Sequence, residues 1–189
     1  MITPELAIAR IQEFRLHPLG FFYLRFDAGD GTSSRFHIWP SKEFGVPENE
    51  CHQHTFDIWS TILSGHMRSQ LFNFQSGPQG DQKEFAVEYD GAKSVLRPTG
   101  RSGSLDRVCE FDSKAGDRYF LKAGVIHKVA VVRRPCVTTL QTFDRAIDIF
   151  SYGQDSAEAP FNRRQVVDPE IREIDSILRS LPKQVPDRG

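Results

Sequence analysis

Three histidines are the residues of this chain whose type and spacing best suit a metal site. His52 and His54 are separated by one residue within a predicted strand, and His127 follows a turn in a later β-rich stretch. Because the side chains of a strand alternate between its faces, residues two apart point the same way, and two imidazoles can then bind one ion. The other histidines have no partner at a comparable spacing and are interpreted as core or surface residues: His17, His37 and His66.

The elements expected to position these histidines are mainly strands. The segment from Phe21 to Phe143 consists of short apolar or alternating runs separated by turn residues, which predicts an antiparallel β-barrel or sandwich. Asp90-Gly91 lies between two such runs and predicts a tight hairpin, since both central residues of that turn adopt positive φ. The polar, glycine-containing segments Gln75–Lys83 and Gly100–Asp106 are predicted to be loops.

Amphipathic helices are predicted on both sides of this β-rich segment. Thr3-Pro4-Glu5 can begin a helix, and apolar residues at helical spacing extend it over about residues 3–16. Asp168-Pro169-Glu170 begins a second helix of about residues 168–181, and Ser151–Arg164 is predicted to be an irregular connection. We expect one domain covering residues 1–189, with the barrel at about residues 20–145.

The composition is typical of a globular domain with a real core. Among 189 residues, 39% are apolar, and 24 lysines and arginines balance 25 acidic residues, which argues against nucleic acid or an anionic membrane as partner. No apolar stretch is long enough to span a bilayer, the start of the chain does not resemble a signal peptide, and the 3 cysteines are widely spaced. A cytoplasmic protein acting on a small molecule is expected, and a homodimer is left open.

The positions of the histidines and nearby glycines resemble the two sequence motifs of the cupin superfamily. The resemblance implies a cupin-type antiparallel β-barrel, also called a jelly roll or double-stranded β-helix. Ile58 occupies the place of the usual glutamate, so the implied ligand set is three histidines without a carboxylate. The matching positions are His52, His54 and Gly65 in the first motif and Gly116, Gly124 and His127 in the second.

Asp57 is adjacent to the position of the missing glutamate. Strict alternation from His52 and His54 places Asp57 on the opposite face of the strand, unless a bulge intervenes. We therefore interpret Asp57 as a residue behind the ligands or at the surface, with ligation as the less favoured alternative.

Cysteine dioxygenase-like cupins, the thiol dioxygenases, also have three histidines and no glutamate, and this chain resembles them in patches. Tyr23-Leu24-Arg25 lies where that family carries an arginine that binds the substrate carboxylate, which makes Tyr23 and Arg25 candidate substrate-binding residues. A surface ion pair is the alternative for Arg25. The family's catalytic S-x-H-x-Y segment is replaced by residues 139–143, which lack its imidazole and phenol, so the catalytic residues stay unknown. Gln141 in this segment is a candidate to bind substrate from the barrel interior, or else a core amide.

These features predict a metal-dependent cupin with one divalent ion, for which the resemblance favours Fe(II) and leaves nickel, zinc and manganese as alternatives. The predicted activity is a dioxygenase-like oxidation of a small anionic molecule. A redox-neutral lyase or isomerase with Asp57 as its base is one alternative. A non-catalytic cupin that only binds a small molecule is the other.

Overall fold

The structure is a computed structural model that describes residues 2–44, 51–90, 93–154 and 161–182. A large β-sheet makes up most of it. In the described part of the chain, no helix has the length and apolar character needed to cross a membrane. The helices are α1 (Pro4–Ala9) and α2 (Asp168–Ser180). The strands are β1 (Arg15–His17), β2 (Phe21–Asp27), β3 (Thr32–Trp39), β4 (Cys51–His52), β5 (Phe56–Ser76), β6 (Gln82–Asp90), β7 (Lys93–Lys114), β8 (Arg118–Leu121), β9 (Ile126–Asp144), β10 (Phe150–Gly153), β11 (Phe161–Asn162) and β12 (Arg164–Gln165).

The strands form one 12-stranded sheet in the order β12-β1-β2-β3-β9-β4-β10-β6-β7-β5-β8, with β11 beside β7 and a further pairing between β9 and β5. Its strand pairings are antiparallel. The long strands β5 and β9 pair along most of their length, with register shifts near Ser64 and His66. The predicted β-rich core is confirmed, whereas a closed barrel stays a prediction.

The part of the sheet formed by β2, β3 and β9 separates the hydrophobic core from a cavity. On one face, Phe22, Phe36 and Val137 are fully buried and pack with Ala7 of α1 and Ile174 of α2. The residues between them point to the opposite face, because side chains alternate along a strand. One face therefore stabilises the fold, and the other lines the cavity.

The first helix is shorter than the sequence predicts. It begins as expected, with the Thr3 side chain accepting a hydrogen bond from the Leu6 backbone N–H at 3.3 Å. It ends at Ala9, and after a single 3₁₀ turn the chain becomes β1, which pairs with β2. The chain leaves the helix because the 3₁₀ turn Ile11–Glu13 and the pairing of Arg15–His17 with β2 satisfy backbone groups while Phe14 stays fully buried. The second helix matches its predicted range within one residue.

Two predicted irregular segments are partly or wholly strands. Gly100–Asp106, predicted as a loop, lies inside β7, where cross-strand pairing with β5 and β6 overrides the weak strand tendency of its glycines. Ser151–Arg164, predicted as irregular, contributes to β10, β11 and β12. The predicted pairing of β6 with β7 is confirmed, but Asp90 is wrong as a central turn residue, because it pairs with Lys93 as the last residue of β6. Gly91 lies outside the described residues.

Candidate metal centre

Three histidine side chains converge on one wall of the cavity. Each of His52, His54 and His127 offers a ring nitrogen, and these atoms lie within 4.8 Å of one another. His52 on β4 lies directly opposite His127 on β9, so a strand pairing joins two distant parts of the sequence. The prediction that His54 lies within the same strand is wrong, because β4 ends at His52. Its ring nevertheless lies beside the other two, with centroids 4.8 Å from His52 and 4.9 Å from His127.

The surroundings keep the imidazoles of His54 and His127 neutral. Loss of hydration in the cavity holds the pKa of His54 well below its usual range, and the neighbouring imidazoles and Arg35 act in the same direction. Burial lowers the pKa of His127 to about 3, with a smaller contribution from His52. The Nδ1–H of His127 donates to the Val125 carbonyl at 3.1 Å, which leaves Nε2 with a free lone pair. Neutral imidazoles with an available nitrogen are the form that binds metal ions.

The Gln53 side chain holds the backbone between the first two histidines. Its Nε2 donates to the Gly124 carbonyl at 2.8 Å, and its Oε1 accepts from the Phe150 N–H at 2.9 Å. Gly124 in turn donates from its backbone N–H to the His54 carbonyl at 3.0 Å. These bonds connect the two histidine-bearing segments, so the cluster is fixed by its backbone as well as by its rings.

Asp57 stabilises the turn that contains Ala123 and Gly124, from the opposite side of the strand. It is 6% exposed; its Oδ1 accepts from the Ala123 N–H at 2.8 Å, and its Oδ2 accepts from the Arg145 Nε at 2.7 Å. Phe56 and Ile58, its neighbours in sequence, line the cavity. The alternation predicted for Asp57 is therefore observed. Its carboxylate stabilises the turn that leads to His127 and lies outside the histidine cluster.

Asp57→Ala is expected to lower the free energy of unfolding at neutral pH, because it leaves the Ala123 N–H without its partner. The Ala123 N–H, and next the Arg145 guanidinium, hold the pKa of this carboxyl below its usual range. This stabilisation is therefore complete above the unfolded-state pKa near ~4 and is lost as the pH falls through the folded-state pKa. Urea denaturation of wild type and variant should show a difference that is large near pH ~7 and shrinks below pH ~4.

Asp27→Ala is the matched control, since Asp27 is an exposed aspartate in an ion pair with Arg25. It should change stability by about 0–1 kcal/mol. An equal effect of the two substitutions would contradict the role assigned to Asp57.

The cavity has a volume of about 1010 Å³ and a positively charged lining. Five of the six histidines of the chain line it, including His17 and His37, for which the sequence offers no partner. Within the described residues, the charged side chains of the lining are four arginines and two aspartates: Arg15, Arg25, Arg35, Arg163, Asp27 and Asp144. Such a lining favours an anionic ligand.

Two arginines of this lining lie opposite each other on β2 and β3 but differ in environment. Arg25 is half-exposed and forms an ion pair with Asp27, with the Arg25 Nε 2.7 Å from Oδ1. The Arg35 guanidinium lies 4.1 Å above the Phe56 ring, and Phe56 is stacked on His54 with centroids 4.7 Å apart. Arg35 is therefore the arginine that the structure places close to the histidine cluster. Tyr23 also lines the cavity, and its role in substrate binding stays a prediction.

Gln141 does not face the cavity, contrary to the prediction. Thr138, Leu140 and Thr142 line the cavity from β9, so the odd-numbered residues of this part of the strand point away. Nearer the start of β9 the odd-numbered residues His127 and Val129 are on the cavity side. The register shifts between β5 and β9 lie between these two parts of the strand and reverse the alternation.

Sequence reasoning did not assign several cavity residues to the site, among them His17, His37 and Arg35. A signal was present for two of them, since Tyr23, Arg35 and His37 are odd-numbered residues of two strands predicted to be consecutive. Pairing of those strands places Tyr23 opposite His37. His17 was predicted to follow a helix, so no pattern indicated that it pairs with Phe21.

No family model and no curated protein matches the chain. Among solved structures, an oxalate decarboxylase variant from Bacillus subtilis aligns with 92% of this chain and 38% of its own, at 14% identity and a TM-score of 0.42. The Lactobacillus farciminis oxalate decarboxylase in its formate complex aligns with 88% of this chain and 40% of its own, at 15% identity and a TM-score of 0.38. The chain thus spans 38–40% of the length of these enzymes. Similarity this weak does not establish a shared fold or a shared reaction.

Proposed function

We propose that this chain is a metal-dependent enzyme of the cupin type that acts on a small organic acid. The observation that carries the proposal is the convergence of His52, His54 and His127 on a large, positively lined cavity. The antiparallel sheet supports it, because β4 and β9 bring the two histidine-bearing segments side by side. The motif spacing noted in the sequence supports the same assignment.

The three histidines fit a divalent ion of the first transition series. His54 and His127 are neutral, the donor atoms of all three histidines lie close together, and the hydrogen bonds of the Gln53 side chain fix the surrounding backbone. His52, His54 and His127 would hold the ion, which would supply Lewis-acid or one-electron chemistry beside the cavity. We favour Fe(II) on the resemblance to thiol dioxygenases, although imidazole ligands also suit nickel, zinc and manganese.

Arg35 is the residue that we assign to recognition of the acid. Its planar guanidinium can form two parallel hydrogen bonds to one carboxylate. Stacking on Phe56 and a hydrogen bond from its Nε to the Ser33 Oγ at 3.3 Å hold it beside His54. Arg25, the candidate from the sequence, also lines the cavity and lies opposite Arg35 on the neighbouring strand. Its charge is already neutralised by Asp27.

Oxidation by dioxygen is the reaction class that we propose. The redox-neutral alternative relied on Asp57 as its base, and that carboxylate is bound to Ala123 and Arg145 on the far side of the strand. The β9 positions that carry the imidazole and phenol of thiol dioxygenases are occupied here by Gln141 and Phe143, which leave the cavity lining to other residues. The substrate is therefore expected to differ from the thiols of that family.

The test begins with metal-stripped protein loaded separately with Fe(II), Mn(II), Ni(II) and Zn(II) under argon. We expect about one ion per chain, measured by elemental analysis after gel filtration. Oxygen uptake should then depend on both a redox-active ion and an added carboxylate from a panel of small acids. Failure to retain any ion would overturn the proposal, and conversion of an acid at the same rate without oxygen would overturn the oxidative part of it.

A further inference from the structure

One wall of the cavity consists of aromatic and imidazole rings. We name it the ring wall, and its members are His17, Phe21, Tyr23, His37 and Trp39. Phe21 is at the centre, with its centroid 4.4 Å from that of His17, 4.6 Å from His37 and 5.0 Å from Trp39. Phe21 itself is buried, whereas the four rings around it are partly exposed. The wall therefore presents ring surface to the cavity instead of closing into a core.

Strand register explains why this surface is continuous. Tyr23 lies opposite His37 on β2 and β3, and His17 lies opposite Phe21 on β1 and β2. The rings therefore occupy neighbouring positions on one face of the sheet, with the phenol and imidazole groups providing polar edges. Such a surface favours a flat, polarisable group, because aromatic rings attract one another in offset and edge-on arrangements.

Arg35 holds a positive charge at the edge of the ring wall. It precedes His37 by two residues on β3, so the two side chains are neighbours on the same face of the strand. Phe56 connects it to the metal centre, since the Phe56 ring contacts the Arg35 guanidinium on one side and the His54 imidazole on the other. The guanidinium therefore adjoins the ring wall along β3 and the histidine cluster through Phe56.

We propose that the cavity binds a planar aromatic carboxylate, with its ring against the ring wall and its carboxylate on Arg35. The proposal deepens the function given above and rests on it for the position of the acid beside the metal centre. A cavity of about 1010 Å³ is large for an acid of two or three carbons and has room for a substituted ring. The selectivity expected from this arrangement is for flat rings over saturated rings of equal size.

Benzoate and cyclohexanecarboxylate test this selectivity, because they share a carboxylate and a six-membered carbon ring and differ in planarity. The chain has two tryptophans, and Trp59 is 44% exposed beside Phe120, outside the cavity lining. Trp59→Phe therefore leaves Trp39 of the ring wall as the fluorescence reporter. We expect saturable quenching by benzoate at an at least tenfold lower concentration than by cyclohexanecarboxylate, in zinc-loaded and in metal-free protein. Calorimetry on wild-type protein provides the same comparison without the substitution.

Matched variants test which residues bind the carboxylate of benzoate and which bind its ring. Arg35→Gln should weaken benzoate binding at least tenfold, and Arg25→Gln less than threefold, since Asp27 already occupies Arg25. Tyr23→Leu should weaken benzoate binding and leave cyclohexanecarboxylate binding unchanged. Circular dichroism checks that each variant is folded.

The two proposals can fail separately. Equal affinity for the two acids, equal effects of the two arginine variants, or no saturable binding of benzoate would overturn the aromatic carboxylate while metal retention still supported the metal centre. If the protein binds none of the added metal ions but still binds benzoate, the ring wall is supported and the proposed metal-dependent function is overturned.

Discussion

His127→Ala is expected to lower the affinity of the protein for divalent metal at least a hundredfold. Loss of a mere outer partner of a ligand commonly costs 10–100-fold, and here a ligand itself is removed. The His127 ring lies close to both other rings of the cluster, with centroids 4.7 Å from His52 and 4.9 Å from His54. Competition with a chromophoric chelator measures the affinity, and circular dichroism shows whether the domain stays folded.

His66→Ala is the control for this experiment. His66 lies on β5 with its Nε2 3.4 Å from Asp112, and it does not line the cavity. Its substitution should leave the metal affinity unchanged within about threefold, well below the ~1.4 kcal/mol of a tenfold change. A His127→Ala protein that binds metal as tightly as the wild type would contradict the three-histidine centre.

Gly65→Ala is expected to destabilise the fold strongly. Gly65 lies in β5 at the register shifts with β9 and has a φ of +85°, which side chains with a Cβ rarely adopt. An added Cβ would lie 2.6 Å from the Cys136 Cα and 2.7 Å from the Arg133 carbonyl oxygen, and both are backbone atoms that cannot rotate away. The left-handed conformation costs about 1–2 kcal/mol and the overlap about 1–3 kcal/mol more.

Gly116→Ala separates these two contributions. Gly116 has a φ of +95°, but a Cβ there would meet no atom within 4 Å. Its substitution should cost only the conformational part, about 1–2 kcal/mol. Urea denaturation of both variants measures the difference. Equal destabilisation would show that the overlap of the added Cβ at Gly65 with the β9 backbone costs no free energy.

Some features of the site followed from local sequence. The one-residue spacing of His52 and His54 and the turn before His127 indicated a cluster of three imidazoles, and the structure brings them together. The β-rich core and the second helix were also predictable, because apolar periodicity and helix-start residues depend on neighbours a few positions away. The opposite orientation of Asp57 followed from strand alternation for the same reason.

Other features depended on which strands pair and in what register. The first helix gave way to β1 because residues Arg15–His17 pair with β2, a partner that helical spacing cannot reveal. The Phe56 ring lies between the Arg35 guanidinium and the His54 imidazole. This contact joins residues that are distant in sequence, so the choice of Arg35 over Arg25 depended on the tertiary structure. Gln141 shows the physical reason most clearly. Alternation along an isolated strand is set by local geometry, but the shifts between β5 and β9 reverse it, and a shift arises only where two strands meet.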